Sequence, residues 1–127
     1  AVVTSKGSEI AERTLRVCGF LDRFPVVVTG DQVERGKPDP EPVHEALRRM
    51  ELGGLTGSHR REVLFVGDSP FDMESGRRAG VSTAAALWGP FERGALEGHR
   101  PDWWLGGPGD LPEGPGSGAN GRNSEPD

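Results

Sequence analysis

The apolar run "VLFVGD" ends in Gly67 and Asp68, and a second carboxylate, Asp72, follows four residues later. A carboxylate beside a glycine at the end of a buried strand is a good hard-oxygen ligand for Mg2+. That ion takes one or two protein carboxylates together with water and substrate oxygens. The same residue also reads as a strand-end acid that caps the following turn, where Asp is common. Asp72 has a local reading too. Ser69-Pro70-Phe71-Asp72 fits the S-x-x-D capping box with Pro in the first turn, and an acid there suits the helix dipole. Taken alone, its spacing favours the cap over the ligand.

Lysine gives a second signal. Of the 15 Lys and Arg residues only Lys6 and Lys37 are lysines, and each falls just after an apolar run. A compact ammonium acts as a point charge on phosphate or carboxylate, although two ordinary solvated lysines fit the count equally well. Lys37 stands in "GKPDP", where proline stiffens the loop and restricts where the ammonium can point. Thr4 and Ser5 close the first apolar run ahead of a helix N-terminus. Hydroxyls and backbone N–H groups at such a place either hold a phosphate oxygen or simply cap the helix.

The elements that would position these residues alternate along the chain. "AVVT" is an apolar, β-branched strand from its first residue. "SKGSEIAERTLRVCGF" reads as a helix with Ile10, Thr14 and Val17 on one face, Leu15 and Cys18 beside it, and Gly19 as its stop. "FPVVVTG" is a short strand of the kind buried on both faces of a parallel sheet. The next helix runs from about Pro40 to Met50, with Asp39 as cap and Val43, Ala46, Leu47 and Met50 as a buried stripe. The strand "VLFVGD" leads to a helix from about Pro70 to Ala79 that Gly80 stops. "VSTAAALWG" makes a fourth strand and "DWWL" a short fifth. Strands alternating with helices predict parallel βαβ units, hence an α/β fold with a three-layer, doubly wound parallel sheet. Ligands bind such sheets at the carboxyl ends of the strands, which is where Thr4, Lys6, Lys37, Asp68 and Asp72 all fall.

Composition bounds the rest. The chain has 127 residues, 20 Gly and 11 Pro, and much of that excess lies in residues 106–127, where half the residues are Gly or Pro. Only Leu111 in that segment is a large apolar side chain, so residues 106–127 read as a disordered tail and residues 1–105 as the core. A net charge of −5 with no basic cluster beyond paired arginines argues against nucleic acid. Cys18 is the sole cysteine, which removes disulfide frameworks and thiolate metal sites. No membrane-length apolar run or signal peptide is visible, and the default expectation is a cytoplasmic protein. His44, His59 and His99 have no ligand spacing.

The ordered set resembles the haloacid dehalogenase (HAD) superfamily of hydrolases, in its phosphoglycolate phosphatase-like subgroup. "AVVTSK" is similar to the family's second motif, "GKPDP" to its third and "VLFVGDSPFDMESGRRAG" to its fourth. "ALWGPFERGALEGHRPDWWL" looks like the C-terminal end of that subgroup. The resemblance covers about residues 1–105 and implies a Rossmann-like core with a Mg2+ cofactor and a small phosphorylated substrate. Thr4, with Ser5, would bind the phosphoryl group and Lys37 would neutralise it. Asp68 would bind the metal, and Asp72 would hold the ion's water molecules or Lys37. The family's first motif, a D-x-D pair that supplies the aspartate nucleophile and the general acid/base, does not occur in this sequence.

The chain therefore reads as the C-terminal part of a phosphomonoester hydrolase that acts through an aspartyl-phosphate and is inactive alone. The missing motif and the cap domain are expected to precede residue 1. The other reading is a catalytically dead HAD-derived module that binds phosphate, metal or a protein. In the family a central strand lies between the strands ending in Thr4 and Asp68. Its absence predicts open edges, marginal stability and self-association through the exposed sheet edge.

Overall fold

A computed structural model describes residues 1–112. The chain begins with β1 (Val2–Val3) and helix α1 (Ser8–Val17), followed by β2 (Val27–Val28) and α2 (Glu41–Arg49). A single-turn helix α3 (Gly57–Arg60) precedes β3 (Leu64–Gly67), α4 (Pro70–Ala79) and β4 (Ser82–Ala86). Helix α5 (Arg93–Glu97) and β5 (Trp103–Leu105) complete the described elements. All strand pairs are parallel, so the α/β class read from the alternation holds.

The sheet is divided where the missing central strand was expected to leave open edges. The described strands form two sheets, β1-β2 and β3-β4-β5. Val2 and Val3 pair with Val27 and Val28, and Leu64–Gly67 pair with Ser82–Ala85. Among the described residues β1 therefore bonds only β2, and β3 bonds β4 on one edge only. Helices α2 and α4 pack on one another and span the division. Val43 and Leu47 of α2 meet Ala79 and Val81, with Leu52, Val63 and Phe65 packed around them. A second cluster of Met73, Ala85, Leu96 and Trp104 lies on the other side of α4. Helix α4 is thus wedged between two apolar clusters. Its start is fixed by a capping box at Ser69 and its end by Gly80, whose φ of 84° is the left-handed turn that favours glycine.

Local details differ from the sequence reading. The face of α1 that carries Ile10 and Val17 is exposed, with Ile10 57% and Val17 80% accessible, and Ala11 is the buried residue of that helix. Periodicity marks an apolar face, but covering it requires another element, and none of the described residues packs over this one. Met50 is likewise exposed, so the α2 stripe ends at Leu47. The cap of α2 shifts by one position, with Pro40 flanking the helix, although the Asp39 carboxylate accepts the Glu41 N–H at 2.9 Å. Residues 106–112, expected to lie in the disordered tail, make a turn in which the Gly106 and Gly107 N–H groups donate to Asp110 at 2.9 and 3.1 Å. The remainder of that expectation, 113–127, lies outside the described residues.

Candidate functional site

Lys37 ties the two sheets together at their carboxyl ends. Its ammonium donates to Asp72 Oδ1 at 2.6 Å and reaches the Val3 carbonyl of β1 at 3.5 Å. The Phe65 ring centroid lies 6.0 Å from the nitrogen. The two side chains of the pair are only 13% and 10% exposed, so this is a nearly buried ion pair that depends on good geometry to offset desolvation. The loop that carries Lys37 is pinned to α4. The buried Ser75 hydroxyl donates to the Asp39 carbonyl at 2.7 Å, one helical turn beyond Asp72. One helix therefore sets both the partner of the ammonium and the backbone beside it.

Asp72 is both a member of the capping box of α4 and the partner of Lys37. Its Oδ2 accepts the N–H groups of Asp68 and Ser69 at 3.1 and 3.2 Å, while its own N–H donates to Ser69 Oγ at 3.2 Å. Its other oxygen belongs to Lys37. A Cβ on Gly67 would sit 2.2 Å from Asp72 Cβ, so the absence of a side chain at Gly67 lets this carboxylate fold back over the strand end.

Asp68 is different. Its backbone N–H is held by Asp72, but among the described residues its carboxylate accepts no hydrogen bond. It is half-buried and packs directly against the backbone of Gly89. The described residues contain no group of three His, Cys, Asp or Glu side chains that could hold a metal. Beside Asp72 at this strand end, the carboxylate left uncommitted is that of Asp68.

Thr4 ends β1 with a ladder bond from its N–H to the Val28 carbonyl at 2.9 Å, and its Oγ1 accepts the Lys6 N–H at 3.1 Å. It is therefore not the cap of α1, whose flanking residue is Gly7. The capping is done from a distance. Asp31, 23 positions on in sequence, accepts the Ser8 N–H with both oxygens at 3.1 Å and the Ser8 hydroxyl at 2.8 Å. The Thr29 hydroxyl adds a 2.5 Å bond to the same carboxylate. Led by the Thr29 bond and then those from Ser8, this holds the Asp31 carboxyl down at about 2. Ser5 and Lys6 are exposed, and the Ser5 carbonyl lies 2.3 Å from where a Gly30 Cβ would stand, which seats the β1 loop on the end of β2.

The structure thus brings Lys37, Asp72 and Asp68 together, with Thr4 following the residue whose carbonyl Lys37 reaches. Asp31, Ser75 and Gly89 were not singled out from the sequence. Asp31 and Ser75 act through contacts across 23 and 36 positions, and Gly89 through a close approach, none of which leaves a local pattern.

Comparison with known proteins places the chain in a family. Residues 1–86 match the family model for haloacid dehalogenase-like hydrolases. A candidate pyrophosphatase PpaX from Caldanaerobacter subterraneus subsp. tengcongensis is 41% identical over 107 residues, which is 83% of this chain and 45% of that protein. Pyrophosphatase PpaX from Bacillus cereus is 39% identical over 104 residues, 82% of this chain and 45% of its own length. The chain spans about half the length of these relatives. Among solved structures, a hydrolase from Pseudomonas syringae superposes with a TM-score of 0.71 at 29% identity, over 84% of this chain and 47% of that one. With its strand-end Thr, Lys and paired Asp residues in this order and a family match over most of its described length, the chain belongs to the haloacid dehalogenase-like hydrolases.

Proposed function

We propose that the chain forms the phosphate- and Mg2+-binding portion of a phosphomonoester or pyrophosphate hydrolase that acts through an aspartyl-phosphate. The observation that carries this reading is the contrast between two neighbouring carboxylates. Asp72 is fully committed to Lys37 and two backbone N–H groups, while Asp68 accepts no hydrogen bond from the described residues. A half-buried carboxylate without a donor suits a cation that completes its coordination with water and substrate oxygens, and Mg2+ is such an ion. The similarity to PpaX pyrophosphatases supports a small phosphorylated substrate.

The chain's own residues bind and neutralise. Lys37 has three N–H donors, one of which is spent on Asp72 at 2.6 Å and another of which faces the Val3 carbonyl at the long distance of 3.5 Å. That leaves donor capacity for a phosphoryl oxygen at the carboxyl end of β1. The Thr4 hydroxyl oxygen accepts from Lys6, so its proton is available to the same oxygen. Asp68 would hold Mg2+, which when bound supplies charge neutralisation to the transferring phosphoryl group. Asp72 orients Lys37 and, next to Asp68, would steady water around the ion. No D-x-D pair occurs in these 127 residues, so the carboxylate that attacks phosphorus is not assigned to any residue of this chain.

The test is equilibrium binding of inorganic phosphate by calorimetry, with and without Mg2+. Phosphate binding that requires Mg2+ and disappears in Asp68→Asn and Lys37→Met supports the reading, and its absence in the folded chain overturns it. The missing D-x-D favours a second reading, a binding module without catalysis. Mg2+-dependent release of phosphate from an aryl phosphate or pyrophosphate by the purified chain would eliminate that module.

A further inference from the structure

The segment after β4 turns back over the end of β3. Its two ends are anchored. Leu87 donates its N–H to the Leu105 carbonyl at 2.9 Å, and Leu96 of α5 is fully buried against Met73, Ala85 and Trp104. Between them the Arg93 guanidinium lies 4.1 Å from the centroid of the Trp104 ring. Held in this way, the segment presses the Gly89 backbone onto the Asp68 side chain. A Cβ on Gly89 would stand 2.4 Å from Asp68 Cβ, 2.6 Å from Oδ2 and 2.7 Å from Cγ. Real Cβ atoms do not approach other heavy atoms so closely, so a side chain there forces a shift in a segment that is anchored at both ends. The φ of Gly89 is not in the left-handed region, so a side chain there meets a steric obstacle and not a strained backbone.

The geometry points to Gly89 as the positioning residue for the Asp68 carboxylate, and this rests on the reading of Asp68 as the metal ligand. A carboxylate that must stay available to a cation cannot be aimed by a hydrogen bond, because the bond would occupy the oxygen it directs. A wall of bare backbone aims it without competing. Asp72 fixes the main chain of Asp68 through the N–H at 3.1 Å, and Gly89 fixes the side chain from the opposite side. Adding one methyl group at position 89 displaces the carboxylate from its direction while Asp68 keeps its full side chain.

Gly89→Ala is compared with the unaltered chain, with Asp68→Asn and with Gly94→Ala. The last adds a methyl in the neighbouring helix where nothing lies within 4 Å. Two readouts are taken. The Asp68 Cα–Cβ rotamer is followed by NMR scalar couplings without metal, and Mn2+ affinity is measured by electron paramagnetic resonance. In Gly89→Ala the couplings change and Mn2+ affinity falls by about 10–100-fold, the range for loss of a group that orients a metal ligand. The urea midpoint falls below that of Gly94→Ala, as overpacking requires, and the latter keeps its couplings and its affinity. Unchanged couplings in Gly89→Ala overturn the proposal, as does unchanged Mn2+ affinity where Asp68→Asn has lost binding. If the unaltered chain binds no Mn2+ but the couplings shift in Gly89→Ala, the metal reading fails while the contact stands. If Gly89→Ala does not fold, Gly89→Ala with Asp68→Asn separates clash from misfolding. Recovery of the fold in that pair, which shortens no side chain, would overturn the wall, since the Asp68 Cβ contact persists.

Discussion

Replacing Lys37 with Met takes the ammonium away from a carboxylate that is 10% exposed and keeps only two backbone N–H partners. Replacing Asp72 with Asn strips the charge from the other side and leaves an ammonium, 13% exposed, with a carbonyl at 3.5 Å and a ring face at 6.0 Å. Breaking a nearly buried pair by removing one partner costs about 3–5 kcal/mol, because the charge left behind is uncompensated. The exposure that remains and the two N–H bonds to Asp72 place Lys37→Met near the lower figure. The double variant buries no charge, so its cost falls short of the sum of the singles by about 2 kcal/mol or more. Urea unfolding followed by circular dichroism measures all four proteins, with sucrose present so that the weakened singles keep a folded baseline. Additivity within about 0.5 kcal/mol would refute the reasoning, since it would mean that Lys37 and Asp72 do not sense one another.

Three further outcomes follow from the same geometry. The Asp31 carboxyl sits at about 2, below its ordinary 3.8, and Glu45, held by Arg48 and then Arg49, at about 2, below 4.5. Both are lowered in the folded state, so their stabilisation is full above about pH 4.5 and is lost as pH falls toward 2. The urea midpoint should drop over that window, and the drop should be shallower in Asp31→Asn. Gly67→Ala forces a Cβ to within 2.2 Å of Asp72 Cβ, and overpacking of this kind costs about 1–3 kcal/mol, read as a lower urea midpoint. Because among the described residues β3 carries a strand partner on one edge only and Val66 on it is 37% exposed, sedimentation velocity should show concentration-dependent association that weakens in Val66→Lys. A monomer at all concentrations would count against the open edge as an interface.

The parts that a local pattern encodes were legible in the sequence. Val43, Ala46 and Leu47 recur at helical spacing and are buried on α2, and the S-x-x-D signal at Ser69 marks the start of α4. Thr4, Lys37, Asp68 and Asp72 were candidates because parallel sheets gather function at strand ends, and Lys37 does meet Asp72 across 35 positions. Tertiary contacts were not legible. Ile10 and Val17 have the spacing of a buried face but no described element over them. The helices at residues 57–60 and 93–97 are too short to show a period. The cap on α1 is supplied by Asp31 from another loop, so nothing near Ser8 announces it. Gly89 reads as the last residue of the fourth apolar run until its backbone is found against Asp68.

The central claim is that the carboxyl ends of β1 and β3 form one cation-assisted phosphate site with Asp68 as its ligand. Backbone amide spectra recorded during titration with Mn2+ in the presence of phosphate test it most directly, because paramagnetic broadening reports distance from the ion. The account predicts that broadening begins at Gly67, Asp68, Ser69 and Gly89, spreads to Thr4 and Lys37, and vanishes in Asp68→Asn. Broadening centred on Asp31 or Glu45, or unaltered by Asp68→Asn, would contradict it.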